Sequence, residues 1–235
     1  MKSLKALSAL LSYPTADLQS AIPEIGAILH AEGLFAPRKQ VKLEPLLHWL
    51  AEDDLYEVQE TYVLLFDRAR TLSLNLFEHV HGESRDRGGA MVDLLETYRA
   101  GGFDLTGTEL PDHLPVLLEF LSTRSRQEAQ DILADAGPIL VALADRLARR
   151  ESPYAAVLAA LVDFAGADRT TQEAKTLLAE AMDDPTDLAA LDQTYAEAQV
   201  MFGPDPDAGC PAARDMLSRM APSSAPAAPR APALN

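Results

Sequence analysis

The sequence predicts an all-α fold, a single-domain helical bundle of about ten helices. Three observations carry this. Leu and Ala, both good helix formers, dominate the apolar residues, while aromatics are only 6% of the chain. Apolar residues recur at helical spacing almost throughout. No alternating strand run of useful length and no Asn-Gly or Asp-Gly hairpin signal is present. The chain has 235 residues and is 48% hydrophobic, enough for a sizeable core.

Each helix has its own signals. Leu4, Leu7 and Leu11 mark a first helix stopped near Tyr13-Pro14. Leu18, Ile22, Ile25 and Leu29 mark a second, capped by Thr15, ended by Gly33, and kinked or broken at Pro23. Leu43, Leu46, Leu47 and Leu50 mark a third, and Leu55, Val58, Tyr62, Leu65 and Phe66 a fourth. The stretch Arg70 to Arg87 is charge-rich around Gly82. A helix resumes through Met91, Leu94, Leu95 and Tyr98, with Gly88-Gly89 at its start and Gly101-Gly102 at its end. Pro111-Asp112 opens the next, with Leu114, Leu117, Leu118 and Leu121; there Asp112 is expected to cap free amides. Ser125 with Glu128, and Thr170 with Glu173, read as capping boxes. Between them lie helices around Leu140 to Leu147 and Tyr154 to Val162, and a last helix runs near Leu188 to Tyr195. Residues 1–219 form the expected helical domain. Met220 to Asn235, rich in Pro and Ala, reads as a disordered tail.

Composition also excludes function classes. The formal net charge is -16, and there is no Lys/Arg-rich run, so a nucleic-acid footprint is lacking. Such a surface steers basic partners instead. The one cysteine, Cys210, rules out an internal disulfide and a Cys-x-x-Cys metal site. No segment approaches the roughly 20 apolar residues of a membrane helix. The apolar stretch Ala6 to Leu11 is short for a signal peptide. A cytoplasmic protein without direct membrane insertion is expected.

Catalytic motifs are sparse. His79 and His81 would share a face on a strand but point about 200° apart on a helix, and no third ligand stands at a recognised spacing. Glu109, Asp112 and His113 gather at a helix start, where an acid–base pair is conceivable but no nucleophile accompanies it. Neither phosphate-binding glycine motif occurs. These patterns predict no enzyme, no cofactor and no metal. The most unusual segment, Tyr62 to Arg87, mixes Tyr62, Phe66 and Phe77 with interleaved charges. It reads as a salt-bridged connection, or as an apolar groove with a charged rim that accepts an amphipathic helix.

The run Tyr62-Val-Leu-Leu-Phe66-Asp-Arg-Ala-Arg70, followed by Ser73 to Gly88 and Ala90 to Leu95, closely resembles the respiratory nitrate reductase assembly chaperones. Glu109-Leu-Pro-Asp-His-Leu-Pro-Val-Leu-Leu-Glu-Phe-Leu121 continues the match, including the Glu-x-Pro-Asp-His element of the wider redox-enzyme maturation chaperones. The resemblance covers about residues 4 to 165. Gly89 departs from it, since a Gln is expected there, and the region beyond Gly166 matches weakly.

The resemblance implies a dedicated chaperone that binds the N-terminal peptide of the nitrate reductase catalytic subunit. It would hold that subunit competent for molybdenum cofactor and iron–sulfur insertion before membrane docking. The expected peptide site is bordered by Tyr62, Phe66 and Arg70, by Phe77, Glu78, His79, His81, Glu83, Arg85, Asp86 and Arg87, and by Glu109, Asp112 and His113. The alternatives are a general helical interaction scaffold, or a metal-dependent hydrolase using His79/His81 or Glu109/His113.

Overall fold

A computed structural model of the protein describes residues 1–81 and 85–184, with backbone alone at His81, Arg85 and Asp86. The chain divides into two units, Met1–Leu188 and Ala189–Asn235, and every described residue belongs to the first. The expected helix near Leu188 to Tyr195 and the Met220 to Asn235 tail lie outside the described residues.

The described residues fold into eleven α-helices: α1 (Lys2–Leu10), α2 (Ala16–Glu32), α3 (Pro37–Glu52), α4 (Leu55–Tyr62), α5 (Glu78–His81), α6 (Arg85–Ala100), α7 (Leu114–Ser122), α8 (Arg126–Asp135), α9 (Gly137–Arg149), α10 (Ala155–Ala165) and α11 (Gln172–Ala179). No strand is present among them, so the all-α reading holds. Helix α9 lies at the centre of one half, packed on α10 and α11, with Leu140, Val141, Leu143 and Leu147 fully buried. Helix α1 fills the other half against α7 and α2, burying Leu4, Leu7 and Leu10.

Helix ends follow side-chain chemistry. Thr15 accepts from the Leu18 amide at 3.1 Å, and Ser125 from the Glu128 amide at 3.2 Å. Each such cap contributes about 1 kcal/mol. The second expected box is displaced by one residue: Thr171 caps α11 by accepting from the Ala174 amide, while the Thr170 hydroxyl donates to Asp168. Helix α2 is not broken at Pro23; it runs from Ala16 to Glu32. Proline deprives the helix of a single donor, and the buried Ile22, Ile25 and Leu29 keep both halves on the core. Gly102, at φ +71, ends α6. Its amide and that of Phe103 return to the Arg99 and Tyr98 carbonyls, a pattern that needs a left-handed residue.

Two irregular segments interrupt the helical order. After α4 the chain widens into a π turn, Val63–Asp67, in which the Arg68 amide reaches the Val63 carbonyl. Next comes a strap, Arg70 to Phe77. It opens with a 3₁₀ turn at Arg70–Leu72 and then continues without helix to Phe77, with Leu72, Ser73, Leu74 and Leu76 all buried. The strap meets the residues ahead of α7 through a single antiparallel bridge, Asn75 to His113. The Leu76 amide donates to the Asp112 carbonyl at 3.0 Å and the Leu114 amide to the Leu74 carbonyl at 2.8 Å.

Candidate partner-binding site

The π turn borders a cleft of about 620 Å³, walled by Ser12 and Tyr13 after α1, Tyr62 and Asp67 at the two ends of the turn, the loop Phe103 to Glu109, and His113, Val116 and Glu119 around α7. Of the residues expected at a peptide site, it brings together Tyr62, Glu109 and His113.

Tyr62 is only 4% exposed. Its hydroxyl donates to the Leu11 carbonyl at 2.9 Å, and its ring packs on Phe66 (4.9 Å between centroids) and edge-on to Tyr13 and Tyr154. Burial drives the phenol pKa far upward, so Tyr62 stays neutral. Phe66 is buried against Tyr62 and Tyr154 and does not line the cleft. The two aromatics share a face, as their spacing requires, and that face is largely core. The aromatic surface open to the cleft comes instead from Tyr13, 47% exposed, and from Phe103, which rests on Tyr98 and Phe120.

The cleft is acidic. His113 faces Glu109, 3.5 Å from its Nδ1, and feels the charge of Asp67, which lines the same cleft. Desolvation lowers the His113 pKa despite these carboxylates, which favours the neutral ring. Asp67 is shifted upward, first by desolvation and then by the Glu109 charge, with His113 opposing. Glu119 pairs with Lys5 at 3.0 Å.

The other expected residues lie elsewhere. Asp112 is fully buried, and it caps a different segment from the one expected: its Oδ2 accepts from the Phe77 amide at 3.0 Å, 35 residues away. Helix α7 begins instead after His113, with Pro115 in its first turn. Burial raises the Asp112 pKa; the Phe77 amide and the Arg87 charge counter this. Arg87 binds Glu78 at 3.1 Å, while its Nε and Asp112 Oδ1 lack hydrogen-bond partners among the described residues. Asp112, Phe77, Glu78 and Arg87 thus form one connected group behind the strap. Arg70 begins the strap and is exposed. His79 lies on α5, with Nε2 donating to the Ser73 carbonyl at 2.9 Å, and borders a separate, more apolar groove of about 370 Å³ with Val80, Ile139 and Leu177. The side chains of His81, Glu83, Arg85 and Asp86 lie outside the described residues.

Sequence reading passed over Tyr13, Asp67, Phe103 and Arg146. Asp67 sits inside the quoted Tyr62 run, and Phe103 follows a glycine pair; only the fold makes them neighbours. Arg146 looks like a polar residue on an apolar helix, yet it is 2% exposed. It donates to the Thr71 carbonyl at 2.7 Å and the Leu177 carbonyl at 2.6 Å, and it pairs with Glu180 at 2.9 Å. Among the described residues no group of three or more His, Cys, Asp or Glu is placed to hold a metal. None of the described helices is long and apolar enough to cross a membrane.

Residues 34–160 match the family described as nitrate reductase delta subunit. The chain is 42% identical over 210 residues to the nitrate reductase molybdenum cofactor assembly chaperone NarJ of Escherichia coli strain K12, spanning 89% of this chain and 88% of that protein. It is 39% identical over 211 residues to the probable chaperone of the same description, NarW, from the same strain, spanning 89% and 87%. It is 32% identical over 163 residues to the probable NarJ chaperone of Bacillus subtilis strain 168, spanning 68% and 86%. A likeness of this extent, running through both the strap and the cleft walls, shows that the chain belongs to the nitrate reductase delta-subunit family, the family of these assembly chaperones.

Proposed function

We propose that the protein is a cytoplasmic assembly chaperone that binds the catalytic subunit of respiratory nitrate reductase through its N-terminal segment. It holds that subunit competent for molybdenum cofactor and iron–sulfur insertion before membrane docking. The observation that carries this reading is the 42% identity over nine-tenths of the chain to a named chaperone of that cofactor's assembly. Chaperones of this kind hold a client and turn over no substrate, and the cleft suits holding. It offers aromatic and aliphatic walls for apolar anchors and a carboxylate rim for orientation, the composition that receives an amphipathic helix. The net charge of -16 draws a basic segment toward it.

The test is calorimetric titration of the full chain with a synthetic peptide of the catalytic subunit's N-terminal segment, beside co-purification with the whole subunit. Expected is one-to-one binding between micromolar and nanomolar, about 8 to 12 kcal/mol. Failure of both to bind removes the reading. Binding that is lost on filling the His79–Leu177 groove (Thr176→Trp) but unchanged on filling the larger cleft (Val116→Trp) moves the site to the smaller groove.

A further inference from the structure

The strap is fastened at both ends, and the two fastenings serve different surfaces. At its later end Asn75 bridges His113, and the Leu76 and Phe77 amides donate to the Asp112 carbonyl and carboxylate. At its earlier end the Thr71 amide donates to Asp183 Oδ2 at 2.6 Å, and the Thr71 carbonyl accepts from Arg146 at 2.7 Å. Arg146 also pairs with Glu180 at 2.9 Å, and Arg150 donates to the Asp183 carbonyl. Arg146, Arg150, Glu180 and Asp183 thus form a clasp that ties Thr71 to α9 and to the residues following α11. None of the four lines the cleft, whereas Asp67, three residues ahead of Arg70, and His113 both wall it. Leu72, Leu74 and Leu76 lie buried between the two fastenings. In a close-packed interior a shift at Thr71 is passed along such a segment rather than absorbed by it. The clasp can also open. Glu180 is half-exposed, and α11, which carries it, buries only Ala174 and Leu177 in eight residues. A helix of that length is not stable without its packing.

We propose that the clasp and the cleft are coupled through the strap. A closed clasp holds the Asp67 and His113 walls in place for the client segment, and a bound segment, by bracing those walls, keeps the clasp closed. The part concerning the client rests on the peptide-binding reading above; the part concerning the free protein does not. Coupling between two sites is reciprocal. The factor by which closure strengthens binding is therefore the factor by which binding favours closure.

The experiment opens the clasp with Glu180→Ala and Asp183→Ala in one chain, with circular dichroism to check the fold. Ser125→Ala, which removes the cap of α8 away from the strap, is the control. In the free double variant, hydrogen exchange at the Leu76 amide should quicken about fivefold or more. The His113 ring, followed by NMR, should titrate closer to its ordinary value as water reaches it. The N-terminal peptide of the catalytic subunit should bind the double variant about fivefold or more weakly. Saturating peptide should slow exchange of the Thr71 amide in the unaltered protein by a similar factor. Ser125→Ala should leave the affinity and the His113 titration unchanged. The coupling is overturned if the double variant leaves either the Leu76 exchange or the His113 titration as in the unaltered protein. It is also overturned if the unaltered protein binds the peptide without slower exchange at Thr71, a result that stands even where the double variant fails to fold. In both cases the chaperone reading stands. If the peptide does not bind at all, that reading falls, and the free-protein measurements still decide whether the clasp reaches the cleft wall.

Discussion

Asp112 shows how one residue can be right in chemistry and unexpected in place. A carboxylate after proline at a helix start reads as a local cap. In the fold it caps an amide 35 residues earlier and so fixes where the strap lies beside α7. Proximity in sequence named its role, and only the tertiary bridge at Asn75 and His113 names its partner. Asp112→Ala leaves the Phe77 amide without an acceptor and should cost about 1–3 kcal/mol in urea unfolding. Asp112→Asn keeps an acceptor and sheds a buried charge, so it should cost clearly less than the alanine variant. Equal losses from both would show that the charge, through Arg87, matters more than the amide.

At the scale of elements, the helices were legible and the joints were not. Period, Thr15, Ser125 and the paired glycines at 101–102 placed helix ends to within a residue or two, because these signals act locally. The π turn carries no propensity signature: Val63 to Asp67 continue the apolar pattern, and the wider turn is visible only once Tyr62 and Phe66 are seen packed on Tyr154. The strap was also hidden, since Leu72, Leu74 and Leu76 are too few to announce a segment without helix. Likewise, the expected binding residues were mostly neighbours in sequence, whereas the cleft is assembled from four separated pieces. Arg146 joins three elements: the strap at Thr71, α11 at Leu177, and Glu180 beyond it. Arg146→Met should leave two carbonyls without donors and cost about 2 kcal/mol or more. Amide hydrogen exchange should quicken in α11 and the strap before it does in α1 or α7; uniform quickening would refute a local role for the clasp.

For the whole molecule, pH dependence follows from groups that burial holds neutral. His79 and His113 both titrate below the ordinary value near 6.5, with desolvation the main cause. At these two side chains the folded state therefore binds fewer protons than the unfolded chain. Stability from these groups is complete above about pH 6.5 and is lost as pH falls toward and through their lowered values. The melting temperature should drop between pH 7.5 and 5.5, and His79→Gln, which keeps a donor for the Ser73 carbonyl, should reduce the drop. An unchanged slope in that variant would place the effect elsewhere. The Arg146 clasp has a further consequence, in time. The Thr71 amide is held by Asp183, 112 residues later. At the usual pace of synthesis, roughly 5–20 residues per second, the strap waits on the order of 5 to 20 s after its own emergence before that partner leaves the ribosome. A nascent chain therefore passes through a stage in which α1 to α7 can assemble while the Thr71 end of the strap is still unfastened, and that end closes only after Asp183 has emerged.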